Sequence, residues 1–137
     1  MHLKVKHVVL SGHSFCGGAA AALGTSMVGG VLDTWLAPLR AVVKKHREEL
    51  EGIENEKARA IRLAELNVMT GVQVLLANHN IEEAVRERGL EVHGVVYDIA
   101  SGKLRDLRCG NGKGDGMQGV GHIKDGVLKD VSASAQA

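Results

Sequence analysis

The stretch from Val8 to Ala19, VVLSGHSFCGGA, constrains this 137-residue chain more than any other. β-Branched residues run into Ser11-Gly12, then a His and a Cys three apart, then paired glycines and an alanine run. Such a passage is a strand that ends in a glycine-containing loop and restarts as a helix, the entry to an α/β unit. The expected strand covers residues 2–10, the loop 11–18 and the start of a short helix 19–23. Ligands of α/β folds collect at the carboxyl ends of the strands. Here that end carries His13 and Cys16.

Gly29-Gly30 breaks the chain. From Val31, apolar residues at Leu32, Trp35, Leu36, Leu39, Val42 and Val43 predict a helix with one buried face, with Pro38 kinking it or marking its first turns. A long helix is predicted over 56–76. A short one follows, with Asn80 as N-cap, Glu83 at N3 and Gly89 as its stop. Residues 91–99 (EVHGVVYDI) read as a buried strand, 100–103 as a turn and 104–107 as a returning strand. Strand, helices, strand implies a right-handed parallel crossover. The domain division is a core over 1–107 and a glycine-rich, flexible tail over 108–137. In that tail Gly110, Gly112, Gly114, Gly116, Gly119 and Gly121 crowd together, with at most a weak strand at 126–131.

Composition removes several function classes. The net charge is +1 and aromatics are 2% (Phe15, Trp35, Tyr97), so neither a basic stripe nor a base-stacking platform exists, and nucleic acid is not expected as a partner. The basic run Lys44-Lys45-His46-Arg47 meets Glu48 and Glu49 at once, which makes it a solvated helix face. Two scattered cysteines, Cys16 and Cys109, do not make a disulfide scaffold. With no apolar stretch of membrane-spanning length and no secretory h-region, no membrane association is expected and a reducing, cytoplasmic location is.

An imidazole and a thiolate on one turn suit zinc, though H-x-x-C alone also fits a structural turn with a buried cysteine. Two rival readings use the same letters. Gly12-His13-Ser14-Phe15 begins like a nucleophile elbow with Ser14 as nucleophile, but Cys16 stands where that elbow needs glycine, and its acid and base would come from Asp98 and His122. The loop amides could instead hold an anion, although no phosphate-loop pattern is present.

The segment VKHVVLSGHSFCGGAAAAL resembles the second zinc-ligand motif of β-class carbonic anhydrases, G-H-x-x-C-G-G. VLDTWLAPLRAVVKKH is similar to the family's next helix, and LAELNVMTGVQVLL, with Asn67 and Val68, to its long helix. VRERGLEVHGVVYDIASGKLRDL is similar to its helix, strand and hairpin. The resemblance covers about residues 2–107 in order. It implies a reduced carbonic anhydrase core with a short, mainly parallel sheet, packed helices and a C-terminal hairpin. It also implies zinc held by His13 and Cys16, with Gly17 and Gly18 letting the backbone approach the site. The implied reaction is reversible hydration of CO2 to bicarbonate, in which zinc acidifies its bound water.

Family members also carry an upstream C-x-D-x-R, whose Cys is a further ligand and whose Asp is either the fourth ligand or, paired with the Arg, orients the attacking hydroxide. This sequence lacks it, so the catalytic pair is unassigned and weak or lost activity is expected. The missing ligand is expected from Cys109, from a symmetry-related subunit, or from water and anions. His7 and His93 are expected to be structural, and His46, His79 and His122 surface or loop residues. Without upstream strands the edge of the first strand is open, so a homodimer or larger homo-oligomer is expected. The competing class is an inactive paralogue serving as an interaction module.

Overall fold

The computed structural model describes residues 3–112. β1 spans His7–His13, α1 Gly17–Leu23, α2 Val31–Lys45, α3 Arg47–Glu51, α4 Glu56–Leu76, α5 His79–Arg88, β2 Glu91–Asp98 and β3 Lys103–Asp106. The sheet order is β1-β2-β3, with β1 parallel to β2 and β2 antiparallel to β3. The α/β class, the parallel crossover, the hairpin and the bounds of α4 agree with expectation.

Other elements differ. The first strand is displaced towards the carboxyl end, because Ser11, Gly12 and His13 continue the ladder opposite Val95, Val96 and Tyr97. The cap of α5 is Asn78, whose side chain accepts from the Asn80 amide, while Gly89 ends the helix in the left-handed region as expected. Pro38 lies inside α2, as expected. Asp33 fastens the entry to α2 by accepting from the Val28 and Gly29 amides, and those bonds together with the Arg40 charge hold its carboxyl below the ordinary carboxylate value.

α4 is the central element. One side packs on β1 and β2 around Val68, Val72, Val92 and Val96, and another meets α1, α2 and α3 around Leu63, Leu66, Ala19 and Val42. Glycines set its distance from the sheet. A Cβ on Gly12 would come within 2.8 Å of Val68 Cγ2, and one on Gly94 within 2.5 Å of Cys109 Sγ and 2.9 Å of Val68 Cγ1. A Cβ on Gly71 of α4 itself would overlap Leu10. Side chains on α4 also reach outward electrostatically. Glu65 is fully buried and accepts from Arg62 at 2.8 Å and from Arg105 of β3, while Arg62 also reaches Glu49 of α3 at 2.5 Å.

Residues 108–112, expected to open a flexible tail, are docked. Asn111 accepts from the Val92 amide at 2.6 Å and donates to the Leu90 carbonyl at 3.0 Å. His122 and the weak strand expected at 126–131 lie outside the described residues.

Gly94→Ala should lower stability by about 1–3 kcal/mol through overpacking against Cys109 and Val68. Urea unfolding should show a lower midpoint with an unchanged slope. Glu65→Ala strands the largely buried Arg105 guanidinium and leaves Arg62 only its pairing with Glu49, and the same measurement should show a loss of about 3–5 kcal/mol.

Candidate metal centre

The turn after β1 is built around Ser14. Its amide donates to the Tyr97 carbonyl at 2.9 Å, its hydroxyl donates to Asp98 Oδ1 at 3.0 Å, and Ser14 Oγ itself accepts from the Ile99 amide at 2.8 Å. Ser14 is fully buried. These bonds pin the end of β1 to the β2–β3 turn. They also dispose of the nucleophile reading: Ser14 does meet Asp98, but its proton is already given to the carboxylate and solvent cannot reach it.

Phe15 adopts a positive φ of 56°, a conformation unusual for a bulky side chain, and this reverses the chain between His13 and Cys16. His13 is exposed at the carboxyl end of β1, on the sheet face away from α4. Its Nδ1 lies 2.9 Å from the Ser14 carbonyl, which can only accept. The neutral ring therefore carries its proton on Nδ1 and its lone pair on Nε2, the arrangement in which a backbone carbonyl orients a ligating histidine. Cys16 is the N-cap residue of α1 and is partly buried. A Cβ on Gly17 would meet nothing within 4 Å, whereas one on Gly18 would touch Trp35 at 3.5 Å and Cys16 Sγ and Leu36 at 3.7 Å, so the backbone is open at Gly17 and packed at Gly18.

Cys109 does not join them. It is 5% exposed and packs in the core beneath Gly94, on the α4 side of the sheet. This corrects its candidacy as a ligand: its docking against β2 fixes the thiol on the face opposite His13. Among the described residues, no convergent group of three His, Cys, Asp or Glu donors includes His13 or Cys16. The donors present thus fit a borderline-soft cation in kind and supply two of the positions that such an ion requires.

A convergence that sequence reasoning missed lies at the other end of the strands, where His7, Glu91 and His93 come together. The signal was the i, i+2 spacing of Glu91 and His93, but pairing with His7 depends on strand register.

The architecture and the turn define an α/β protein with its candidate site at the carboxyl end of a parallel strand pair. The carbonic anhydrase family model matches residues 1–104, and the chain belongs to the β-class carbonic anhydrase family. A carbonic anhydrase of Emericella nidulans is 40% identical over 107 residues, which are 77% of this chain and 46% of that protein. One of Candida albicans is 36% identical over 124 residues, 90% of this chain and 43% of that protein. The chain therefore spans less than half the length of these relatives. Among solved structures, a tetrameric β-carbonic anhydrase of Sordaria macrospora superposes with a TM-score of 0.80 at 58% identity, covering 81% of this chain and 56% of that one. The β-carbonic anhydrase CafA of Aspergillus fumigatus gives 0.76 at 47% identity, covering 82% and 53%.

The Ser101 hydroxyl foremost, then Ser14 and the amides of Ala100 and Ser101, hold the Asp98 carboxyl below its ordinary 3.8, with partial desolvation opposing them. The unfolded chain thus binds this proton more tightly. Asp98 stabilises the fold fully above that ordinary value and loses its contribution as pH falls through the lower folded one. Urea midpoints should fall below about pH 4, and Asp98→Asn should remove that component.

Proposed function

We propose that this chain is a zinc protein of the carbonic anhydrase type that takes part in reversible hydration of CO2 to bicarbonate, with weak activity when the 137-residue chain acts alone. The observation that carries the reading is the contact of His13 Nδ1 with the Ser14 carbonyl, which leaves Nε2 able to take a cation at the turn that also carries Cys16. His13 and Cys16 would hold the ion. Zinc, when bound, supplies Lewis acidity that makes water a nucleophile near neutral pH. The chain's own contribution is positional. Ser14 and Asp98 hold the turn, Phe15 reverses it, and the backbone at Gly17 is open.

No described residue completes the ligand set, and no C-x-D-x-R pattern occurs in the sequence. Water, anions or a residue of a second copy fill the remaining positions. Low activity follows, because nothing among the described residues is placed to orient the attacking oxygen.

A homo-oligomer is part of the proposal. β1 is a sheet edge in the described residues. Leu32 and Trp35, expected on the buried face of α2, are exposed instead, Trp35 by 70%, and Phe15, Met27, Val28 and Val31 are exposed as well. Large exposed apolar groups of this kind favour association. The Sordaria macrospora relative is described as tetrameric. Among the described residues no single helix is long and apolar enough to cross a membrane. Two cysteines outside any disulfide suit a reducing compartment, and the cytoplasm is the proposed location.

Elemental analysis and stopped-flow CO2 hydration test the reading. His13→Ala and Cys16→Ala should each lower zinc affinity at least about tenfold and abolish residual hydration. A folded chain whose zinc content and hydration rate ignore both substitutions overturns it in favour of an interaction module.

A further inference from the structure

β1 and β2 run parallel in a register that pairs His7 with Glu91 and Val9 with His93. Alternation along β2 puts Glu91 and His93 on one face, while Val92, Gly94 and Val96 face α4. His7 occupies the same open face from the neighbouring strand. Three donor atoms meet there. His7 Nδ1 is 3.2 Å from His93 Nε2 and 3.5 Å from Glu91 Oε2, and His93 Nε2 is 3.3 Å from Glu91 Oε2.

Those separations are those of a coordination face. In a tetrahedron with metal–ligand bonds of about 2.0–2.1 Å, the edges are about 3.3–3.4 Å. The backbone carrying the donors is held. The Glu91 amide donates to the Lys6 carbonyl at 3.0 Å, and Arg88 donates to the Val5 carbonyl. The side chains are reachable from solvent, at 57% exposure for His7, 33% for Glu91 and 22% for His93.

We propose that His7, Glu91 and His93 form a zinc site at the amino end of the β1–β2 pair, with a fourth position open to solvent. It lies about 20 Å along β1 from His13, given six steps of about 3.3 Å. Two imidazoles and a carboxylate favour a borderline divalent ion over magnesium or calcium, which prefer all-oxygen sets. The ion would clamp β1 to β2, the strand that holds it in the described sheet, and raise stability by binding the folded state alone.

The inference is independent of the carbonic anhydrase site, and the test keeps the two apart. The background is the full chain carrying both His13→Ala and Cys16→Ala. Equilibrium dialysis against zinc should still find about one ion per chain, and thermal unfolding should shift upward with added zinc. In cobalt-loaded protein this background should show tetrahedral ligand-field bands without the thiolate charge-transfer band that Cys16 would add. His93→Ala, and separately the exposed His7→Ala, should weaken zinc binding at least about tenfold and abolish the thermal shift, with circular dichroism confirming the fold. The proposal is overturned if the background binds no zinc, or if it binds zinc equally well after both His7→Ala and His93→Ala.

Discussion

The close seating of α4 on the parallel pair β1–β2 is the constraint from which the rest follows. It is made possible by missing side chains. Gly12 and Gly94 give the strands a flat surface under Val68, and Gly71 opens the helix to Leu10. Dispersion and burial both fall off quickly with separation. At this distance a single apolar layer of Val68, Val72, Val92 and Val96 suffices for the sheet side of the core, in a chain almost without aromatics. The opposite side of the helix gathers α1, α2 and α3. Glu65 extends the same logic to charge: buried between Arg62 and Arg105, it couples α4 to the hairpin, and Arg62 carries the link to α3. Such a cluster fixes geometry more surely than it adds stability, because desolvation offsets most of its Coulombic gain.

One covered sheet face leaves one open face, and the chemistry is on the open one. Alternation along β1 sends Val8, Leu10 and Gly12 towards α4 and His7, Val9, Ser11 and His13 away from it. His13 and His7 thus share a face at opposite ends of one strand. The carboxyl end meets a strained turn at Phe15 and a helix start at Cys16. The amino end meets Glu91 and His93 across the ladder. The same alternation removes Cys109 from the first site, since its place beneath Gly94 is on the covered side.

Much of the fold was legible because short-range chemistry dictates it. The period of apolar residues located α4 with the bounds observed, and Gly89 ended α5 because only a left-handed residue closes that helix. The strand–turn–helix around His13 was legible for the same reason. The errors have physical causes too. The first strand ran further than its glycine suggested, since Gly12 serves packing against Val68 rather than a turn. Leu32 and Trp35 continue the apolar period of α2 but find no cover among the described residues. Periodicity identifies an apolar face without identifying what covers it.

The sequence by itself determined the element types, the His13–Cys16 turn and the family pattern, because these depend on neighbours within a few residues. Only the tertiary structure decided that Ser14 is a buried pin, that Cys109 belongs to the core, and that His7 stands beside Glu91 and His93. Those outcomes depend on the register between strands more than eighty residues apart in the chain, where a shift of one residue would turn every side chain to the other face.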